Sequence, residues 1–238
     1  MNQWDRFLDT FFNVPVLVQY TPAILQGMWV TVVLSVLIVI FGVAFGGALA
    51  MARSYGIRPL SALIVIYADV FRALPPLVVI MIVFFGLPNA GIVLSSFLVL
   101  FLVLGLVLAA FAEEIFWAGI TSIDRGQWEA ARSSGLGFSQ ALVWVVVPQA
   151  ARLAIPPLTN RAIAITKMTA LGTVIGVPDI LNQATTAQSF FGQRIAPGIG
   201  GPGLCCLVPA PRDPRALAGK PVRLAKGVDD GPADRTVL

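Results

Sequence analysis

Histidine is absent from this sequence, charged side chains are scarce, and the two cysteines adjoin each other. Without an imidazole there is no ordinary zinc site and no His-based catalytic dyad or triad. Cys205 and Cys206 are neighbours, and a vicinal pair makes a strained, poor structural disulfide. A phosphate-cradling loop is also lacking. The single Gly-Lys pair, Gly219-Lys220, runs into Pro221 without the upstream glycine spacing of a nucleotide-binding loop. The residues therefore call for no cofactor and no metal, and ATP hydrolysis is not expected of this chain. The shortage of charge is the largest departure. Asp, Glu, Lys and Arg make up 12% of the 238 residues, and hydrophobic residues 57%. Soluble domains carry about 25% charged residues, so this composition cannot cover a soluble fold with a polar surface. An all-α membrane protein is expected.

The few charges are clumped. No charged residue falls between Asp9 and Arg53, nor between Arg72 and Glu113. A bilayer core takes about 20 apolar residues per helix. The net charge of +4 is modest, so the basic residues read as topology markers and not as a nucleic-acid surface. Asp5, Arg6 and Asp9 give no positive n-region, which argues against a signal peptide.

Residues 1–20 read as an external, interfacial segment, with Trp4, Phe7, Phe11 and Phe12 among the charges. A permease-like transmembrane domain is expected over 21–192. Its spans are expected at about 27–51, 61–86, 92–112 and 153–177, separated by a polar loop at 113–152. Asp69, Arg72, Pro75 and Pro76 interrupt the second run, whose first part reads as an interfacial or bundle-facing turn. Glu113 and Glu114 are expected to be solvated beside the polar loop. Arg53 and Arg58 lie in the first loop, Arg72 soon after, and Arg125, Arg132 and Arg152 in the long loop; the 86–91 turn has none. Both loops are therefore expected in the cytoplasm and the N-terminus outside.

The polar loop reads GQWEAARSSGLGFSQALVWVVVPQAAR. Glu129-Ala130-Ala131 is followed by three residues, Gly135, nine residues, and Val145-Val146-Val147-Pro148. Ser122-Ile123-Asp124 can cap a short helix carrying the triplet. Two alanines keep that helix slim enough to enter a groove on another protein. Gly135 permits a sharp turn, and Pro148 is expected to break the next helix before the chain re-enters the membrane. The competing reading, a solvated amphipathic linker, explains the triplet but not the joint spacing of triplet, Gly and Pro.

This pattern resembles the EAA loop of ABC importer permeases, with valine at the aliphatic positions where that family prefers Ile and Leu. The flanks resemble the polar-amino-acid branch, the histidine and glutamine type. Tyr67-Ala-Asp-Val-Phe71-Arg72-Ala-Leu-Pro75-Pro76-Leu77 resembles its Tyr-x-x-x-Phe-Arg-x-x-Pro-Leu phrase, and Glu113-Glu114-Ile115 its Ala-Glu-Ile phrase. Gly126-Gln127-Trp128-Glu129, Pro148-Gln149-Ala150, Lys167-Met168-Thr169-Ala170-Leu171 and Val174-Ile175-Gly176-Val177 follow in order. The resemblance covers about residues 20–192. It implies a type I ABC importer transmembrane domain, with Glu129, Ala130, Ala131, Gly135 and Pro148 coupling to an ATPase. It implies as partners a second permease subunit, a cytoplasmic ABC ATPase dimer, an external solute-binding protein and the lipid bilayer, with no nucleic acid. The implied place is the bacterial plasma (inner) membrane, and the implied cargo polar amino acids or related solutes. Lys167 and Thr169 are candidates to line the pathway, although a lysine there could instead snorkel to the interface. Trp117 stands where the family has arginine, which is expected to weaken that helix end. Ala170 stands where the family has serine.

The family continues into a fifth span. Here residues 193–238 are punctuated by Pro197, Pro202, Pro209, Pro211 and Pro214, too closely spaced for a membrane helix. That tail is expected to be disordered, with the fifth span missing or replaced; a shifted reading frame would account for it, and a divergent tail is the alternative. Two other functions compete with this reading. An ion-gradient-driven secondary transporter would carry charges deep in repeated spans, whereas Lys167 is the one charge expected deep in a span and no repeat is visible. A membrane-embedded enzyme would need a nucleophile motif or paired carboxylates within a span.

Overall fold

The computed structural model describes residues 14–187 and 189, and among these there is no strand. Residues 1–13 and the Pro/Gly-rich stretch 193–238, with the expectations made for them, lie outside the described residues. Among the described residues, three helical stretches are long and apolar enough to cross a membrane, or up to four with one bent pair counted as a span.

Helix α1 spans Val14–Arg53. It begins well before the expected 27, taking in residues 14–20 that the sequence suggested were interfacial. Apolar residues continue through Pro22, and in lipid the backbone gains most by pairing within the helix. After a turn in which Gly56 takes φ +69, α2 runs from Arg58 to Ala73 with proline in its first turn. Leu74-Pro75-Pro76 then ends it: two successive prolines push the residues before them from helical toward extended backbone. Leu74 and Pro75 are extended at ψ 135 and 126. Helix α3, Pro76–Gly86, leaves at 100° to α2. The expected 61–86 span is thus a broken pair.

Helix α4, Ser96–Thr121, is the most buried element and touches every other span. Ser95 caps it, its Oγ accepting from Leu98 N at 3.3 Å. The helix was expected to end near 112, yet it continues to Thr121. Its two carboxylates explain why. Glu113 is 1% exposed and accepts from Arg53 Nη1 at 2.9 Å, while Glu114 pairs with Arg72. The expectation that both are solvated is corrected for Glu113, since a partner from α1 makes its burial tolerable. Trp117 does not weaken this end either, because the Arg53 guanidinium stacks on its ring 4.3 Å from the centroid.

Helices α1 and α4 meet through glycine. A Cβ on Gly42 would lie 2.7 Å from Leu108, and one on Gly46 2.5 Å from the Ala109 carbonyl. Small residues let backbones approach in lipid, where packing replaces the hydrophobic effect as the driving force. Leu34, Ile38, Leu100, Leu104 and Leu108 fill this seam, joined by Ile80, Ile165 and Val177.

The short helix α5, Arg125–Ser133, follows. One helical stretch then runs over Phe138–Ile175. It comprises α6 (Phe138–Ala141), a π turn (Leu142–Val146), α7 (Val147–Met168) and a 3₁₀ segment (Thr169–Ile175). Pro148 was expected to break the helix and does not. The π turn just before it widens the helix, which relieves the proline ring and its missing N–H. Gln149 Nε2 also donates to the Val145 carbonyl at 2.8 Å. The span therefore starts at Phe138 and not near 153. Residues 180–187 form a last described helix. Buried Asp179 caps it, Oδ1 accepting from Asn182 N and Thr173 Oγ1 at 2.8 and 2.9 Å.

Candidate coupling loop and solute pathway

The Glu129 triplet sits on α5 as the capping residues anticipate. Asp124 Oδ1 accepts from Gly126 N at 2.6 Å, satisfying one of the donors a helix start leaves free. At the other end Leu136 N donates to the Ala131 carbonyl at 3.3 Å and Gly135 N to Arg132 at 3.0 Å. These two bonds, with Gly135 at φ +88, make a Schellman closure, for which glycine is the preferred residue.

The helix has two sides. Ala131 is buried at 7%, and Trp128, one turn before it, packs on Ala50, Ile120, Leu142 and Val146. Glu129, Ala130 and Gly135 are exposed, as is Pro148. The triplet is thus split: one alanine grips the bundle, while the glutamate and the other alanine face outward.

Aromatic contacts that sequence reasoning assigned no role tie α5 to the spans. Trp128 stacks on Phe138 with centroids 5.3 Å apart, and Tyr55 meets Phe138 edge-on at 5.4 Å. Tyr55 Oη also donates to Ser139 Oγ at 3.1 Å. Displacing α5 therefore loads the start of the 138–175 stretch and the end of α1 together. The signal was available: an aromatic at 128 and another three residues after Gly135 must face something when the loop folds back. A cavity of about 260 Å³ remains beneath α5, lined by Trp117, Trp128, Phe138, Arg125 and Ser54 among others.

Lys167 and Thr169 are not brought together. Lys167 is exposed. Thr169 is 1% exposed, and its Oγ1 donates to the Thr166 carbonyl at 2.7 Å, which makes it a local helix-end contact facing the core. Two arginines that the sequence gives no pathway role do share a site. Arg72 and Arg161 line a cavity of about 100 Å³ beside the break between α2 and α3.

The sequence matches the family of binding-protein-dependent transport system inner membrane components over residues 42–208. The chain belongs to this family. It is a membrane-spanning permease component, and the match runs past 192, where the phrases quoted above end. It is 34% identical over 177 residues to the probable glutamine ABC transporter permease protein GlnM of Bacillus subtilis (strain 168), covering 74% of this chain and 82% of that protein. It is 38% identical over 178 residues to the glutamate transport system permease protein GluC of Corynebacterium glutamicum, covering 69% and 78%. Among solved structures, an amino acid ABC transporter crystallised with histidines superposes at a TM-score of 0.66 and 35% identity, covering 73% of the permease and 81% of that chain.

Proposed function

We propose that this permease is one half of the membrane gate of an importer for polar amino acids or related solutes. A second permease subunit, identical or related, would complete the gate. Two cytoplasmic ATPase subunits would dock on α5, and an external binding protein would deliver the solute. The N-terminus lies outside and α5 in the cytoplasm, in line with the arginines at Arg53, Arg58, Arg125, Arg132 and Arg152. One observation carries the coupling role: α5 presents Glu129 and Ala130 outward while Trp128 and Ala131 hold it against the spans. ATP-driven closure of the partner would move α5 as a rigid element and rock the spans through Trp128, Phe138 and Tyr55. The amino-acid cargo rests on the relatives, whose names specify glutamine and glutamate.

Charge reversal at the outward face tests the docking. Glu129→Arg is expected to cut ATPase-dependent uptake by at least tenfold while the permease still inserts and purifies normally. Gly135→Val, which forces a β-branched residue to positive φ, is expected to do the same by tilting α5. Uptake at the unaltered level in both variants would remove the loop from coupling.

A further inference from the structure

Two cavities on the α5 side of the bundle meet at Ile120, and they differ in chemistry. The first, about 300 Å³, lies between the last turns of α1, the end of α4 and the start of α7. Phe116, Val147 and Ala150 are among its walls, and no side chain lining it carries a charge or a hydroxyl. Its α1 wall is Val43, Ala44, Gly47, Ala48 and Met51. These follow at helical spacing, so the cavity is drawn out along one face of α1 for about 12 Å. Ala44 and Ala48 are exposed, and the slot opens on the outside of the bundle. It offers the charged groups of a free amino acid no partner, whereas the hydrocarbon of the bilayer suits it.

The second cavity is the one of about 260 Å³ beneath α5. It begins where α1 and α4 end, lined by Ser54 and Thr121 together with Trp117, Trp128, Phe138 and Arg125. Arg125 is exposed, and among the described residues no carboxylate lies within ion-pair distance of it. Asp124 beside it accepts from the Gly126 amide. Arg53, which stacks on Trp117, is already matched by Glu113. The indole N–H groups of Trp117 and Trp128 make no hydrogen bond to any described residue. A guanidinium and two indole donors without acceptors suit an anion rich in oxygen, and no carboxylate lines the cavity to oppose one. Tryptophan also favours the headgroup level of a membrane.

We propose that the two cavities are the halves of one site for an anionic phospholipid of the cytoplasmic leaflet. One acyl chain lies in the slot along α1, and the phosphate meets Arg125 and the two indoles. Charge complementarity selects the occupant: the apolar half requires a tail, and the basic half requires a negative headgroup at its end. The inference rests on the permease reading, which puts α5 on the cytoplasmic side, and adds a ligand that reading does not name. Basic pockets between spans on that side are where anionic headgroups bind. The bound lipid fills the space between α5 and the spans, so Trp128 and Phe138 move against a packed floor.

The test titrates the full chain, purified with its ATPase partner and stripped of lipid, with phosphatidylglycerol and with phosphatidylcholine of the same chains. Binding is counted by native mass spectrometry. The native chain is expected to hold phosphatidylglycerol at least fivefold more tightly at its tightest site. Arg125→Gln should bring that preference below twofold, and Arg125→Lys should keep part of it. Ala48→Leu, which puts a branched side chain in the slot, should weaken both lipids at least threefold with the preference retained. Arg58→Gln, at an exposed arginine outside both cavities, should behave as the native chain. No lipid binding, no preference in the native chain, or the same preference in Arg125→Gln overturns the inference. So does Ala48→Leu with both affinities unchanged. Displacement of the lipid by sn-glycerol 3-phosphate alone overturns it in favour of a small-anion site. ATPase-dependent uptake of the twenty common amino acids is measured on the same complex in liposomes. A native complex that takes up amino acids but does not distinguish the two lipids sinks the lipid site alone; one that distinguishes them but takes up none sinks the amino-acid permease reading alone.

Discussion

Gly46→Val is expected to prevent the permease from assembling. A Cβ at position 46 would lie 2.5 Å from the Ala109 carbonyl oxygen, 2.6 Å from the Ala112 Cβ and 2.9 Å from the Glu113 nitrogen. Two of these are backbone atoms, and the third is a methyl fixed to backbone, so no side chain can swing aside. Only separation of α1 from α4 relieves the clash, and that seam is the largest contact in the bundle. In lipid its strength is close packing itself, so moving the helices apart forfeits the Leu34, Ile38 and Leu108 contacts as well. The expected result is loss of most monodisperse protein after detergent extraction. Gly47→Ala is the matched control: its Cβ would meet only the Phe116 ring, at 3.3 Å, and an aromatic edge can yield by a few tenths of an ångström. Comparable yield for Gly46→Val and the native chain would show that α1 and α4 do not pack as described.

The second large effect concerns the Arg53–Glu113 pair. Arg53→Met leaves the Glu113 carboxylate buried at 1% exposure with its guanidinium partner removed. Breaking a buried pair from one side costs about 3–5 kcal/mol, because the remaining charge stays desolvated. Arg53→Met is therefore expected to lower the thermal aggregation midpoint by many degrees. Adding Glu113→Gln should recover most of the loss, since a neutral amide costs far less to bury. Arg53 is partly exposed, at 23%, so Glu113→Gln alone should be the milder single change. A double variant no more stable than Arg53→Met would mean that Arg53 acts through its stacking on Trp117 instead of through the ion pair.

Much of this molecule was legible in its sequence. The empty stretches between Asp9 and Arg53 and between Arg72 and Glu113 mark membrane segments, because lipid tolerates charge poorly whatever the fold. The turn glycines were equally plain: Gly135 and Gly91 take φ +88 and +80, and that freedom belongs to the residue type. The cap at Asp124 is likewise a local matter of one side chain and the next few amides. So is the break at Leu74-Pro75-Pro76, whose extended backbone follows from the prolines.

What the sequence could not decide depends on partners far along the chain. Glu113 and Glu114 look like the edge of a loop until Arg53 and Arg72 arrive from other helices, and α4 then continues to Thr121. Pro148 looks like a helix end, yet a π turn carries the helix through it, with Gln149 bonded back to Val145. Which alanine of the triplet faces the bundle was set by Trp128 finding Phe138, and Thr169 was turned into the core by the same kind of packing. Arg161 falls inside the expected fourth span, but the sequence gives it no partner. Its neighbours, Phe111 beneath it and Arg72 across a cavity, come from other helices. Capping and turn chemistry act over a few residues and can be read in order. The state of a buried charge is fixed only by what surrounds it in three dimensions.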